Sequence, residues 1–116
     1  MARTIETASV TSSTFGKEIV AQISRTQEGI ALLIAGGDKS HIGAVAVVDS
    51  DGKSACIILP SHKDHVIAEK WAKELWQRFM VQAVVSVGIH YDVVNKEMIE
   101  EILKKTDEMM EELLHE

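Results

Sequence analysis

The alternation of apolar and polar positions divides the first half of the chain into short strands. Residues 17–24 and 30–35 are rich in apolar and β-branched side chains and are separated by the turn-like segment 26–29, which predicts a hairpin. Residues 44–48 and 54–59 flank an Asp-Gly turn and predict a second hairpin. In chain order, these four strands indicate an antiparallel meander.

A helix is predicted after the only proline, Pro60. Proline cannot donate to a strand ladder, and Ser61 with Asp64 has the spacing of a helix-starting capping box. Between residues 67 and 79, apolar side chains recur every three or four positions and charged side chains occupy the other face. This pattern is typical of an amphipathic helix that lies on a sheet.

The remaining elements complete the predicted fold. Residues 83–89 predict a further strand, and Asn95 can cap a last amphipathic helix. Residues 1–16, rich in Thr and Ser, predict an edge strand or a mobile arm. We therefore expect one α+β domain, residues 1–116, with a single layer of five or six mainly antiparallel strands and two helices packed on one face.

Composition and charge limit the classes of partner and the cellular compartment that we expect for this chain. The chain of 116 residues has a formal charge of −6 and lacks a basic cluster, which argues against nucleic acid as a partner. No window approaches the roughly 18 apolar residues of a membrane span, so we expect no membrane association. The single Cys56 cannot form an internal disulfide, which favours a buried thiol and a cytoplasmic location.

Three histidine-bearing segments contain the candidate chemistry. In the first, Gly36, Gly37 and Gly43 surround His41, and glycines allow backbone N–H groups to approach an anion closely. A plain wide turn would explain the same glycines.

The second segment is Ser61, His62, Lys63 and Asp64, at the predicted start of a helix. Unpaired N–H groups and the positive end of the helix dipole favour a phosphate there, although Ser61 and Asp64 could simply cap the helix.

The third segment ends a strand with His90 and Tyr91. An imidazole and an aromatic ring at this place can contact a planar ligand. Tyr91 could equally cover the edge of the sheet.

The histidines and aspartates also include the ligand types of a zinc or iron site. However, the chain has no helical pair at metal-binding spacing, such as H-E-x-x-H, so a metal is possible but not favoured. Cys56 has no polar neighbour in sequence that would lower its pKa, so covalent catalysis by this thiol has little support.

Taken in order, the three segments resemble the small D-subunit family that accompanies prenylated-flavin-dependent decarboxylases of the UbiD type. The resemblance spans about residues 30–91. It is carried by Gly36-Gly37 before His41-Ile42-Gly43, by Pro60-Ser61-His62-Lys63-Asp64, and by Gly88-Ile89-His90.

The resemblance implies a function that the residue pattern does not. The protein would bind reduced prenylated FMN, made by a flavin prenyltransferase, and deliver it to the large decarboxylase subunit or assist its activation there. Such an accessory protein need not be an enzyme. The alternatives are a small metal- or histidine-dependent enzyme acting on a phosphorylated metabolite, and a purely structural decarboxylase subunit.

The resemblance also implies roles for individual residues. Ser61, His62 and Lys63 would hold the phosphate, helped by the Gly36-Gly37 loop. His41 and His90 would face the isoalloxazine or its prenyl-derived ring. This chain departs from the family pattern in its short link between Leu59 and His62 and in its helical C-terminus.

We also expect a homodimer or higher oligomer. The chain has only one Tyr, two Trp and two Phe, so one copy offers little aromatic surface to enclose a tricyclic ring. A second copy could supply another wall, with the Met-rich last helix as the interface.

Overall fold

The computed structural model describes residues 4–59 and 64–115, and within these ranges one six-stranded sheet has two helices on one of its faces. This architecture confirms the predicted α+β class with a single, mainly antiparallel sheet. The elements are β1 (Glu6–Thr14), β2 (Lys17–Arg25), β3 (Gly29–Gly37), β4 (Lys39–Val48), β5 (Ser54–Ile58), α1 (Asp64–Phe79), β6 (Gln82–His90) and α2 (Lys96–Leu114).

Hairpins account for most of the antiparallel pairing. β2 pairs with β3 and β4 pairs with β5, so both predicted hairpins are confirmed. β1 lies at one edge of the sheet and pairs with β2. Phe15 and Gly16 connect these two strands with φ angles of 53° and 74°, and two positive φ angles are what a two-residue turn between twisted strands requires.

The predicted meander is wrong between β3 and β4. β6 lies between them, parallel to β3 and antiparallel to β4. The reason is that residues 83–89 are apolar at nearly every position, and such a strand is most stable in the middle of a sheet, where it is most buried. The hydrophobic pattern shows each strand, but it does not show that a later strand inserts between two earlier ones.

The link between β3 and β4 is a single residue, Asp38, and it crosses the end of β6. Gly37 on β3 and Lys39 on β4 are both register partners of His90. The Asp38 N–H donates to the His90 carbonyl oxygen at 2.7 Å, and the Asp92 N–H donates to Oδ2 of Asp38 at 2.8 Å. We call Gly37, Asp38 and Lys39 the arch.

A bulge in β4 lies beside the arch. The regular pairing of β4 with β6 is interrupted between Ser40 and Ala44, and the extra residues include His41. The bulge lies directly against Gly88, where a Cβ atom would be 1.6 Å from the carbonyl oxygen of His41. Because bulges change the direction of a side chain relative to the sheet, this irregularity decides where His41 points.

The core lies between the sheet and the helices. Inward residues of β2, β3, β4 and β6 are buried against Trp71 and Leu75 of α1 and against α2. Met109 and Met110 of α2 are buried in this core, so these two side chains are not exposed for the contact between copies expected at the last helix. Cys56 is half-buried rather than fully buried, because β5 is a short strand at the edge of the sheet.

The helix boundaries agree with the sequence pattern where they are described. Oδ1 of Asn95 accepts a hydrogen bond from the Met98 N–H at 2.8 Å, which confirms the predicted cap of α2. α1 begins at Asp64, and Pro60 and Ser61, predicted to break the strand and cap the helix, lie outside the described residues.

The contact between Gly88 and the bulge predicts a stability difference. Gly88→Ala should lower the free energy of unfolding by about 1–3 kcal/mol, the usual range for overpacking, because the new methyl group must displace the His41 backbone. Ser86→Ala, two positions earlier on the same strand, is the control and should change it by less than about 0.5 kcal/mol. Urea unfolding measures both variants, and equal stabilities would contradict this account of the bulge.

The arch predicts a dependence of stability on pH. The hydrogen bond from the Asp92 N–H, followed by the contact with Lys17, holds the pKa of the Asp38 carboxyl below its ordinary value of 3.8. Above its unfolded-state pKa, a carboxyl whose pKa is lowered in the folded state stabilises the fold. This stabilisation is lost as the pH falls through the pKa of the folded state.

Asp38→Asn should therefore be less stable than the wild type at neutral pH. Its deficit should shrink below about pH 4, where the wild-type carboxyl takes up a proton. Thermal unfolding of both proteins between pH 2 and pH 7 tests this expectation. A deficit that stays constant over the whole range would show that ionisation of Asp38 does not contribute.

Candidate functional site

The predicted site residues converge at the arch end of the sheet, where β6 ends and α1 begins. Four elements contribute: β3, the bulge of β4, the first turn of α1, and β6 with the residue after it. Ser61, His62 and Lys63 lie outside the described residues. The predicted residues that the structure describes here are Gly36, Gly37, His41, Gly43, Asp64, His90 and Tyr91.

Two histidines form the centre of this region. The rings of His41 and His90 lie edge to face, with centroids 5.9 Å apart and an interplanar angle of 76°. His41 comes from the bulge and His90 from the end of β6, so the inserted position of β6 brings them together. We call His41 and His90 the histidine pair.

Each histidine of the pair has an aspartate beside it. Nε2 of His90 is 3.1 Å from Oδ1 of the exposed Asp92, a hydrogen-bonding distance. This contact places a proton on Nε2 of His90, because a carboxylate can only accept. Nε2 of His41 is 3.8 Å from Oδ2 of Asp64, which is too long for a hydrogen bond.

His41 has an unsatisfied polar atom. Its Nε2 is buried and has no hydrogen-bond partner within residues 4–59 and 64–115. Nδ1 of His65, in the first turn of α1, has the same property in the described part of the chain. Buried ring nitrogens are normally paired, so these atoms are candidates for contact with a ligand.

Asp64 is a buried carboxylate at the first position of α1. The residue is 3% exposed, and its Oδ1 accepts a hydrogen bond from the Ile89 N–H at 3.0 Å. This bond ties the start of the helix to the end of β6. The carboxylate therefore fixes the position of α1 relative to the histidine pair.

Tyr91 is mainly anchored within the protein. It is 7% exposed, its hydroxyl donates to the Thr14 carbonyl oxygen at 2.7 Å, and its ring lies edge to face with Phe15. Burial raises the pKa of this hydroxyl above its ordinary value, so it stays protonated at neutral pH. These contacts hold the segment after β6 against the turn between β1 and β2.

The paired glycines are required by the backbone itself. A Cβ on Gly36 would lie 2.3 Å from the carbonyl oxygen of Glu18, and one on Gly37 would lie 2.2 Å from that of His90. Gly37 also has a φ of +89°, which favours glycine. Gly43 accepts a hydrogen bond from the Leu59 N–H at 2.8 Å, which joins the bulge to the end of β5.

Two cavities are lined in part by residues of this region. An open cleft of about 440 Å³ lies on the sheet face opposite the helices and is lined by residues that include Gly36, Gly37 and Asp38. An apolar cavity of about 70 Å³ lies between α1 and α2, with Asp64 and Tyr91 in its wall. These two cavities are separate, and neither is lined by His41 or His90.

Asp38 is the residue that the sequence interpretation missed. It joins β3 to β4 and makes hydrogen bonds with the backbone of His90 and of Asp92. The sequence feature that could have identified Asp38 is its position directly after two glycines, which is typical of a tight connection between strands. Its importance depends on β6 lying beneath it, and that insertion is not visible in the sequence.

Other kinds of site find little support in the described residues. Within residues 4–59 and 64–115, no three His, Cys, Asp or Glu side chains lie close enough together to hold a metal ion. Burial and then the nearby Glu69 raise the pKa of the Cys56 thiol, which keeps it in its unreactive form at neutral pH. Neither α1 nor α2 is long and apolar enough to cross a membrane.

Comparison with known proteins identifies the family. The prenylated flavin chaperone LpdD-like domain matches residues 13–116. Protein LpdD of Lactiplantibacillus plantarum is 23% identical over 112 residues, which cover 92% of this chain and 82% of that protein. These matches confirm the resemblance seen in the three histidine-bearing segments.

A solved structure has the same fold. The crystal structure of a chaperone complex for yeast 20S proteasome assembly contains a chain with 18% identity and a TM-score of 0.57, over 94% of this chain and 97% of that one. At this identity the likeness concerns the fold alone. On the family match over residues 13–116, this chain belongs to the family of prenylated flavin chaperone LpdD-like domains.

Proposed function

We propose that this protein binds reduced prenylated FMN and delivers it to a UbiD-type decarboxylase, or assists its activation there. Membership of the family supports a chaperone role related to such decarboxylases. The observation that carries the proposal is the histidine pair, with the buried Nε2 of His41, which has no hydrogen-bond partner in the described part of the chain. A flavin prenyltransferase would be the source of the cofactor.

The described residues fit a flavin. The cleft of about 440 Å³ falls within the roughly 300–1,000 Å³ of small-molecule pockets. Its lining includes glycine backbone at Gly36 and Gly37, which a ring system can approach closely, together with side chains such as those of Gln22 and Leu33. Nε2 of His41 and Nδ1 of His65 can each bond to a polar atom of a ligand.

In this proposal, different residues would bind different parts of the flavin. His41 and His90 would orient the flavin ring and exchange hydrogen bonds with its nitrogen and oxygen atoms, and Asp92 would hold the proton on Nε2 of His90. Ser61, His62 and Lys63 would hold the phosphate, and the 16-residue helix α1, whose first residue is Asp64, would add the positive end of its dipole.

The bound group would supply all of the redox chemistry. Reduced prenylated FMN would supply the modified ring on which the decarboxylase depends, and this chain would only have to hold it and exclude water. A role of this kind does not require a catalytic residue in the accessory protein. The protein would act in the cytoplasm, where Cys56 stays reduced.

Three exposed apolar residues lie close in sequence to the histidine pair. Ile42 in the bulge and Val93 and Val94 after β6 are exposed although they are apolar. Apolar side chains grouped at the mouth of a site are typical of a protein contact surface. We propose that the large subunit contacts these residues when it takes the cofactor.

The proposal is tested by anaerobic titration with reduced prenylated FMN and, separately, with reduced FMN. We expect the prenylated form to remain with the protein through gel filtration and plain FMN to bind at least about tenfold more weakly, a difference of about 1.4 kcal/mol. Equal binding of both flavins would contradict specificity for the prenylated ring. Retention of neither would contradict the proposed function.

The histidine pair predicts the effect of single substitutions. His41→Ala and His90→Ala should each weaken binding of reduced prenylated FMN by about tenfold, since each removes one hydrogen bond to the ligand worth about 1–1.5 kcal/mol. His115→Ala is the matched control, because His115 is exposed beyond the end of α2, and it should bind like the wild type. Unchanged affinity in both site variants would remove the histidine pair from the flavin site.

A further inference from the structure

The cavity of about 70 Å³ between α1 and α2 is lined mainly by aliphatic side chains. Its wall is formed by α1, by β6 with the segment that follows it, and by α2. Protein interiors are close-packed, and voids larger than a water molecule are few. An apolar void stays dry and binds apolar molecules. We call it the aliphatic cavity; its aliphatic residues are Ile67, Ile89, Val94, Ile99, Ile102 and Leu103.

We propose that the aliphatic cavity receives the branched apolar end of the prenyl-derived part of the flavin and so sets the preference for prenylated over plain FMN. The inference rests on the proposed function and adds to it the residues that distinguish the two flavins. The histidine pair would contact polar atoms that both flavins share. The cavity would contact only the carbons that prenylation adds.

Asp64 connects the aliphatic cavity to the histidine pair. This residue lies in the cavity wall, and its Oδ2 is 3.8 Å from Nε2 of His41. Ile89 and Tyr91, which also line the cavity, are the chain neighbours of His90. A ring held by the histidine pair would therefore be separated from the cavity by little more than one carboxylate group.

The volume of the aliphatic cavity suits a small branched group. An apolar cavity of about 150 Å³ holds a benzene molecule. At about half that volume, the aliphatic cavity has room for roughly three carbon atoms. A prenyl group ends in a carbon that bears two methyl groups, so its branched end has this size. The flavin ring itself is too large to enter.

The charge in the cavity wall determines which end of a flavin can enter. Asp64 is 3% exposed, and a buried carboxylate repels a phosphate group. The hydroxyl of Tyr91 already donates to the carbonyl oxygen of Thr14. The rest of the wall offers hydrocarbon, which favours methyl groups over the phosphate or the polar edge of the flavin.

The aliphatic cavity reaches the surface beside the segment that follows β6. Val94 lines the cavity and is 42% exposed, and Ile99 and Leu103 of α2 are half-buried. A ligand can therefore enter without separating the two helices. A half-buried residue also tolerates a larger side chain better than a fully buried one, which makes Leu103 a suitable position for a substitution that fills the cavity.

The first test uses a probe that contains only the prenyl group. Prenol, the alcohol of this group, is titrated without flavin into methyl-labelled protein and followed by NMR. The methyl signals of Ile102 and Leu103 should shift, with a Kd of the order of 1–10 mM because so small a ligand binds weakly. The signals of Leu113, about 15 Å further along α2, should not shift. No shift at Ile102 and Leu103 would overturn the proposal.

The second test compares affinities for reduced prenylated FMN and reduced FMN. Leu103→Phe places a larger side chain in the cavity. It should weaken binding of the prenylated form by at least about tenfold, the usual effect of a small apolar group in an apolar pocket, and leave binding of plain FMN unchanged. Leu113→Phe is the matched control, because it is the same substitution at a half-buried position of α2 outside the cavity. It should bind both flavins like the wild type.

Circular dichroism shows whether each variant is folded. A folded Leu103→Phe protein that keeps the wild-type preference would overturn the proposal. If this variant does not fold, Ile99→Phe, at another half-buried position of the wall, replaces it, and the prenol titration of the wild type decides if neither folds.

The failure of this inference and the failure of the proposed function give different results. A wild type that binds prenol in the cavity but retains neither flavin would refute the proposed function and support the cavity as a site for a branched apolar group. A wild type that retains the prenylated flavin, with no response of the cavity to prenol, would overturn the inference and leave the proposed function standing.

Discussion

The one-residue connection between β3 and β4 constrains the whole arch end of the sheet. Asp38 has to cross the end of β6, so Gly37 and Lys39 both pair with His90 and no room remains for a side chain at Gly37. The position of β6 in turn sets where the bulge carries His41. Without this insertion, the two histidines would belong to distant parts of the sheet.

The residues around the histidine pair divide between structure and binding. Gly36, Gly37 and Gly88 are glycines because backbone atoms approach them closely, and Asp64 joins α1 to β6. These residues would be needed even in a protein without a ligand. Nε2 of His41 has no hydrogen-bond partner within residues 4–59 and 64–115, and it therefore carries more weight in the functional argument than the glycines that first suggested a site.

The sequence predicts local structure well, because hairpins, caps and amphipathic helices depend on residues close together in the chain. The hairpin at Asp49–Gly52 and the cap at Asn95 are examples. The sequence does not predict the order of β3, β6 and β4 in the sheet. The apolar pattern indicates which face of a strand is buried, but it does not indicate which strand lies beside it. Asp38 was missed for the same reason. The bulge at His41 was not predicted because a bulge interrupts the alternation of side chains on which the strand predictions depend.

The inserted strand also has a consequence for how the protein is made. β3 and β4 are synthesised well before β6, yet they must remain apart until it arrives, because its place is between them. Contacts between residues so distant in sequence form late and slowly. The histidine pair therefore does not exist in a nascent chain that ends before His90, and a partly synthesised chain lacks the arrangement of side chains found at the arch.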